Sequence, residues 1–467
     1  MTTLDEVVLQ LVEEIQNTST VRRVSGDNLR KLSRSVKKLV SDSLSVHGEK
    51  PSSFGFASLH KNRNRYSSSR YSRRLSYRIH VERAYNGLTR LGYIREVKRG
   101  YFDGFGGYLT RYSATEKLRQ LFADIDLRLL PVFMVSDAPD EVIQVRKVTK
   151  EVDKNTGRKK RKSVLVQYTD IPKTHQMRRN VDKINKKLIN VWIDLEISEI
   201  EWESVKWQLE QDTDKEVNPP NLANKTVYRV FSDKSFQRGG RFYGGWWQII
   251  HKKLRSRILI NGKRTVEFDY SGLHPMILYA KKRHLFPDDP YDFGLGEEHR
   301  DTVKKLFNAM LNASNDLRSP PKGIPVKETG LVWKEIKQLI KKKHSGISDY
   351  FGTGVGLELQ YIDSCIAEEL MLRFIDEKSG TALLPVHDSF IVHHGYADEL
   401  KDMMLEIFER DFGNPIEVEQ KKKQVIGVLD DVSLISIPKD VDTVLSLNDV
   451  GYEMRLGAHR KFILSQG

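Results

Sequence analysis

The chain has 467 residues, of which 39% are hydrophobic, and this length allows two or three domains with sizeable cores. Lys and Arg number 77 against 63 Asp and Glu, so the net charge of +14 indicates a phosphate-rich partner, with a merely basic, soluble protein as the alternative. The single cysteine, Cys365, excludes a disulfide framework and a cysteine-based zinc site. Since the sequence has no apolar run of about 18 residues, we expect a cytoplasmic or nucleoid-associated protein without a membrane partner.

Residues 1–130 are predicted to form a polar, basic N-terminal module. It begins with an acidic amphipathic helix, MTTLDEVVLQLVEEIQ, followed by SSFGFASLHKNRNRYSSSRYSRRLSYRIH, which is either a solvated loop or a surface for a nucleic-acid backbone. A helix, two short strands (YIREVKRGYF and YLTRYSA) around a glycine-rich turn and a helix opened by Thr115 come next. This order resembles a winged-helix module, which commonly binds nucleic acid but in many proteins mediates only protein contacts.

Residues 131–235 are predicted to form a basic hairpin and a helix. VIQVRKVTKEVDKNTGRKKRKSVLVQY alternates along two arms joined by a turn at DKNTG. HQMRRNVDKINKKLINVWIDLEI predicts a helix with one apolar face and an opposite face of Arg178, Arg179, Lys183, Lys186 and Lys187. That face is either solvated or bound to a nucleic-acid backbone, and Arg178 and Lys186 are our candidates for the contact. We interpret DLE, from Asp194 on, as the end of the helix rather than as an exonuclease carboxylate pair.

Two aspartates are predicted to lie at strand ends. RTVEFDYSGLHPMILYA indicates a strand that ends near Asp269 and a helix that Pro275 can open, although a capping aspartate would give the same pattern. TALLPVHDSFIVHH has His387 and Asp388 between two apolar runs, which predicts a hairpin. Turns often contain aspartate, but this one has no Gly or Asn and its flanks are apolar. Two such carboxylates suit a pair of Mg²⁺ ions about 3.5–4 Å apart.

A helix between these aspartates carries a polar row. In EEHRDTVKKLFNAMLNASND the apolar residues recur at helical spacing, and Arg300, Lys304, Asn308 and Asn312 follow one another every fourth residue on another face. A row of two cations and two amides is suited to binding a triphosphate at one end and a sugar or base at the other. Taken alone, this row would more often be a solvated surface.

Together these stretches resemble motifs A, B and C of the family A DNA polymerases and the related single-subunit RNA polymerases. The matching residues are DYSGLHP, the Arg300 and Lys304 pair, and VHDSF, in the order of the family. GLELQYIDSCIAEELM is similar to the family helix that touches the primer-template minor groove, and FQRGGRFYGGWWQ to a segment that contacts the duplex. The resemblance covers roughly residues 225–435 and implies an α+β fold, a right-hand polymerase palm with fingers and thumb-like helices, the thumb being the basic helix of residues 131–235.

The resemblance also implies roles for individual residues. Two Mg²⁺ ions would be bound by Asp269, Asp388 and the main-chain carbonyl of Tyr270, and Lys304 would protonate the leaving pyrophosphate. The nucleotide site would consist of Arg300, Lys304, His274, Asn308 and Asn312. The nucleic acid would be contacted by Arg241, Gln360 and His387, the last near the primer terminus.

Several positions depart from the DNA polymerase pattern, among them a glycine that the helix lacks after the position of Asn312. His274 replaces a glutamate that helps to exclude the ribose 2′-hydroxyl, Asn308 replaces an aromatic residue, and Asn312 replaces a tyrosine. Selection between dNTPs and NTPs therefore stays open at this point.

We predict a template-directed nucleotidyltransferase, foremost a DNA polymerase without a proofreading domain, whose partners are a template, a primer and nucleoside triphosphates. The predicted units are the N-terminal module (1–130), the connecting region (131–235), the palm and fingers (236–435) and a tail (436–467). One alternative is an RNA polymerase or primase-like enzyme. Another is a non-catalytic DNA-binding replication protein with a degenerate palm.

Overall fold

The computed structural model describes residues 4–45, 56–61, 70–72, 76–102, 107–122, 141–152, 159–196, 222, 224–250, 252–286, 288–378, 380–421, 457 and 459–460. Helices and mainly antiparallel sheets make this an α+β fold, as predicted. None of the helices within these ranges combines the length and the apolar character of a membrane-spanning segment. Much of the basic stretch at 52–80, the DKNTG turn and most of the 436–467 tail lie outside the described residues.

The N-terminal part has its own hydrophobic core. Its helices are α1 (Leu4–Asn17), α2 (Gly26–Ser45), α3 (Arg83–Arg90) and α4 (Glu116–Gln120). Its strands are β1 (Ala57–Leu59), β2 (Ile94–Lys98), β3 (Tyr101–Phe102), β4 (Gly107–Tyr108) and β5 (Thr110–Ala114). The helices cover a sheet of order β1-β5-β2, and Thr115 caps α4 by accepting a hydrogen bond from the Leu118 amide at 3.4 Å. The predicted order of helix, hairpin and helix is confirmed.

The connecting region contains β6 (Ile143–Val152), β7 (Lys159–Leu165), α5 (Pro172–Asn190) and β8 (Ile193–Leu195). The predicted hairpin and helix are confirmed. The interpretation of the DLE sequence as a helix end was wrong, because α5 ends at Asn190 and Asp194 lies in a buried strand. That strand pairs with residues 258–260, so a long-range partner overrides the local helical pattern.

The central sheet is built around one long strand. The strands of this part are β9 (Tyr228–Ser232), β10 (Gly239–Tyr243), β11 (Ile258–Ile260), β12 (Lys263–Tyr270), β13 (Leu384–Val386), β14 (Ser389–His393) and β15 (Val418–Gln420). All pairings of β12 are antiparallel, with β14 on one edge and with β11 and β15 on the other. β13 lies beyond β14, and β8 beyond β11. A second sheet has the order β10-β9-β6-β7, in which β6 and β9 are parallel.

One helix organises the helical layer. The remaining helices are α6 (Leu273–Lys281), α7 (Glu297–Asn312), α8 (Trp333–Lys343), α9 (Gly356–Glu377) and α10 (Ala397–Phe412). α9 packs against β10 and against α5, α6, α7 and α10. The apolar residues of α10 recur at helical spacing and are buried in the core: Leu400, Met403, Met404, Ile407 and Phe408.

The hydrophobic core is continuous across residue 235. Buried side chains of α5 and β6 belong to the same cluster as those of β12, β14, α9 and α10. Arg229 of β9 is fully buried; its Nη1 donates to Glu368 on α9 at 2.7 Å and its Nε to the Gly240 carbonyl at 2.8 Å. The domain boundaries stay predictions, but 131–235 and 236–435 do not have separate cores among the residues described.

Gly240→Ala is expected to lower the free energy of unfolding by about 2–3 kcal/mol. Gly240 has a φ of +87°, and an added Cβ would lie 2.8 Å from both the Phe231 ring and the Ser364 hydroxyl. Chemical denaturation measures the loss. Gly380→Ala is the control, because a Cβ there meets nothing within 4 Å. Equal stability of the two variants would contradict the strain argument.

Candidate functional site

Antiparallel pairing brings Asp269 and Asp388 to the same end of the central sheet. Asp269 pairs with Ser389, the residue after Asp388, so the end of β12 meets the turn between β13 and β14. Both aspartates are half-buried. Phe268 and Tyr270 of β12 face the core, which leaves Asp269 on the opposite face. The predicted position of both carboxylates at adjacent strand ends is confirmed by the register.

The two-residue turn of the hairpin is backbone-strained. His387 has a φ of +60° in the first central position, where two-residue hairpins usually have glycine. Its ring contacts that of Tyr243, with centroids 5.5 Å apart, and its Nδ1 is buried without a hydrogen-bond partner in the described ranges. Burial and the nearby Arg241 lower the pKa of His387, so the imidazole is neutral near pH 7. A strained turn persists only where the surrounding structure maintains it. The strain therefore indicates that His387 is present for its side chain and not because it suits the turn.

The two carboxylates have opposite pKa shifts. Burial and the negative charge of Asp388 raise the pKa of Asp269 to about 6. Burial acts in the same direction on Asp388, but the charges of Arg241, His274 and Lys304 outweigh it and lower the pKa. The two carboxylates therefore titrate as a coupled pair, and the proton that the pair retains to higher pH stabilises it against the repulsion of two charges.

The carboxylate pair fits a divalent cation. Asp269 Oδ1 is buried and accepts no hydrogen bond from the residues described, while Oδ2 lies 3.5 Å from the Lys421 ammonium. A hard cation would bind this oxygen well, because Oδ1 has no hydrogen bond and lies on a carboxylate close to the negative charge of Asp388. The Tyr270 hydroxyl donates to the Met404 carbonyl at 2.8 Å, so only the main chain of Tyr270 is left for the predicted role. In the described part of the chain no group of three or more His, Cys, Asp or Glu side chains could hold a metal ion.

A brace that the sequence did not reveal lies beside Asp269. Glu267 Oε1 accepts from the Ser389 hydroxyl at 2.7 Å and from Lys421 at 2.7 Å, and Arg255 lies 3.5 Å away. Burial would lower the pKa of Lys421, but the carboxylates of Asp269 and Glu267 outweigh it and raise the pKa, so the ammonium stays charged. This brace ties β12, β14 and β15 together at the end where the aspartates lie. In the sequence, the only indication of this role is that Glu267 lies two residues before Asp269 and so on the same face of the predicted strand.

A buried triad lies on the other side of Asp388. Asp363 of α9, whose side chain is fully buried, accepts from Arg241 Nε at 2.9 Å and lies 3.1 Å from His274 Nε2. Arg241 and His274 are themselves 3.4 Å apart. The sequence motifs predict that Arg241 contacts nucleic acid and His274 the nucleotide, whereas no motif indicates Asp363, which contacts both side chains. Asp363 follows the half-buried Gln360 by three residues on the same face of α9, and that spacing could have drawn attention to it.

The four polar residues of α7 are not equivalent. Arg300 forms a forked ion pair with Asp289. Lys304 is half-buried, and its positive charge acts to lower the pKa of both Asp269 and Asp388. Asn312 Nδ2 donates to the Asn308 carbonyl at 2.7 Å, and its side chain packs so closely on Gly356 that a Cβ there would lie 2.0 Å from Oδ1. Asn312 therefore joins α7 to the start of α9, whereas Lys304 acts electrostatically on both carboxylates.

The basic face of α5 is partly paired. Arg178 donates to Glu141 at 2.9 Å and to the Tyr168 hydroxyl at 2.8 Å, and it pairs with Asp170. Lys186 is exposed. Arg178 is thus tied to the connecting region, and the assignment of these two residues to nucleic acid stays a prediction.

Comparison with known proteins gives little. No protein-family model and no curated protein matches the chain. A solved structure that matches is the POL domain of Pol1 from M. smegmatis in complex with DNA primer-template and dNTP. The two chains are 11% identical, the match covers 89% of this chain and 67% of that chain, and the TM-score is 0.29. At this identity and TM-score the match establishes neither a shared fold nor a shared function.

Asp269→Asn is expected to stabilise the metal-free protein by about 1–3 kcal/mol near pH 8 and to change little near pH 4. The pKa of about 6 in the folded state exceeds the ordinary 3.8, so the wild type loses stability as the pH rises from about 4 through 6. Urea unfolding at several pH values measures the difference, and Mg²⁺ at pH 8 should stabilise the wild type more than the variant. Parallel pH profiles of the two proteins would contradict the raised pKa.

Proposed function

We propose that the chain is a template-directed nucleotidyltransferase, foremost a DNA polymerase, that extends a primer from nucleoside triphosphates. The observation that carries this proposal is the meeting of Asp269 and Asp388 at one sheet end, with an open, buried carboxylate oxygen and with Lys304 close to both. A site that only bound a nucleic-acid backbone would have no use for two half-buried carboxylates, because they repel phosphates.

The residues that would hold two Mg²⁺ ions are Asp269, Asp388 and the main-chain carbonyl of Tyr270. When bound, Mg²⁺ supplies activation of the attacking 3′-hydroxyl and neutralises charge on the leaving pyrophosphate. Carboxylates on paired strands suit this role, because they need little rearrangement to bind an ion. Lys421 would leave Asp269 and remain paired with Glu267.

The cations of α7 would bind the triphosphate. Arg300 presents a planar fork that matches phosphate oxygens, and the Lys304 Nζ would hold the proton that the pyrophosphate takes as it leaves. His387, neutral near pH 7, would lie at the primer terminus without adding a charge beside the hydroxyl. Asn308 would face the sugar or base, and Asn312 would support the helix.

The nucleic acid would approach along α9 and the basic surfaces. Gln360 lies one turn before Asp363 on α9, and Arg241 reaches the same place from β10. Lys186 is available on the exposed face of α5, and the net charge of +14 favours any phosphate backbone. The N-terminal module, in which helices α1 to α4 cover a sheet of order β1-β5-β2, would act as a winged-helix-like reader of the template.

The sugar preference depends on His274. Its Nε2 lies 3.1 Å from the buried Asp363 and 3.4 Å from Arg241. This histidine stands where the DNA polymerases that the chain resembles have a glutamate, so no carboxylate at this position would face a ribose hydroxyl. This favours keeping an RNA polymerase or primase-like enzyme as the second candidate. Incorporation of labelled dNTPs and NTPs on primed and unprimed templates separates the two, and use of NTPs alone without a primer would overturn the DNA polymerase assignment.

Asp388→Asn is expected to reduce Mg²⁺-dependent primer extension by at least about a hundredfold, because it removes one of the two carboxylates that would bind the ions. Binding to a primer-template, measured by fluorescence anisotropy, should change little. Asp402→Asn, at an exposed position of α10, is the charge-matched control and should extend primers as the wild type does.

Extension that persists in Asp388→Asn would contradict the assignment of the site. If the wild type binds the primer-template but extends no primer with Mg²⁺ on any template, the chain is instead a non-catalytic DNA-binding protein with a palm-like scaffold.

A further inference from the structure

The guanidinium of Arg300 already forms two hydrogen bonds with the carboxylate of Asp289. Asp289 lies in the loop between α6 and α7, and its Oδ2 accepts from Arg300 Nε at 2.6 Å while its Oδ1 accepts from Nη2 at 3.0 Å. Two of the five N–H donors of Arg300 are therefore used, in the forked arrangement that a phosphate would also take. One guanidinium edge cannot serve both anions at once.

A neighbouring aromatic ring supports both cations of α7. Tyr291 is buried, and its ring centroid lies 5.5 Å from the Arg300 guanidinium and 5.4 Å from the Lys304 ammonium. The ring packs edge-on against Phe307, one turn along α7. The Tyr291 amide also donates to Asp289 Oδ1 at 2.9 Å, so the ring and the carboxylate are held as one unit.

The back of this loop is anchored. The Pro290 carbonyl lies 2.8 Å from His344 Nε2, and Nδ1 of the same ring lies 2.9 Å from the Tyr279 hydroxyl. Pro290 also packs on Gly272, where a Cβ would lie 2.6 Å from the proline ring. The ion pair is more accessible to solvent than this anchored main chain, since the side chains of Asp289 and Arg300 are 34% and 25% exposed. The loop main chain is thus fixed, whereas the ion pair can exchange with a ligand from solvent.

We infer that Asp289 is an internal anion that holds Arg300 in place without nucleotide and that the triphosphate must displace it, so that Asp289 sets the affinity for the incoming nucleotide. The inference rests on the proposed function. Asp289 and the triphosphate would compete for Arg300, because the carboxylate binds the Nε and Nη2 donors that a phosphate would need. The negative charge of Asp289 would also repel the phosphate while both are present. Tyr291 keeps Arg300 over the site during the exchange.

Asp289→Asn is expected to tighten triphosphate binding to the primer-template complex by about three- to tenfold, because it removes one half-exposed competing charge. Titration calorimetry measures the affinity, and steady-state extension should show the effect in KM for the nucleotide rather than in kcat. Asp288→Asn removes the same charge from the adjacent exposed residue and should leave both values as in the wild type. Asp289→Ala serves as a second variant should Asn destabilise the loop.

A double-mutant cycle with Arg300→Ala tests the mechanism. If the exchange occurs at Arg300, Asp289→Asn has no effect on triphosphate affinity in the Arg300→Ala background. Weaker or unchanged binding in Asp289→Asn and Asp289→Ala, or tightening that survives Arg300→Ala, would overturn the inference while primer extension by the wild type still stands. A wild type that neither binds triphosphate nor extends a primer would overturn the proposed function and this inference with it.

Discussion

Antiparallel pairing of β12 with β14 holds Asp269 and Asp388 together at one end of the central sheet, and the surrounding structure responds to that constraint. Two half-buried like charges are unfavourable in a metal-free protein. Cationic groups from three other parts of the chain lie around them: Arg241, Lys304 and Lys421. Part of the repulsion remains, as the pKa of Asp269 near 6 indicates. Folding stability is thus reduced where the two carboxylates meet, which is the cost that a preformed cation site would have.

The site has a rigid side and an exchangeable side. On the rigid side, the strained turn at His387 and the triad centred on Asp363 fix the geometry through buried contacts. On the exchangeable side, Arg300 and Lys304 project from α7 over the Tyr291 ring and remain partly exposed. A polymerase would need both properties, because the metal ligands keep one geometry through each cycle whereas a triphosphate enters and pyrophosphate leaves.

α9 connects the site with the rest of the chain. It carries Asp363 toward the carboxylates and Glu368 toward the buried Arg229 of β9, and it also packs along α5. A change on α9 would therefore be transmitted both to the site and to the basic connecting region. This packing explains why the hydrophobic core is continuous between residues 131–235 and residues 236–435 in the part of the chain that the structure describes.

The sequence by itself determined the local elements: the strand that ends at Asp269, the hairpin around Asp388, and the amphipathic helices α5, α7 and α10. These follow from alternation, helical spacing and turn chemistry, which act over a few residues. Only the tertiary structure decided the strand at Asp194 and the ion-pair partners of the site. Arg241 meets Asp363 across 122 residues and Lys421 meets Glu267 across 154. No local pattern encodes such pairs, because folding of the whole chain determines which charges share a buried space.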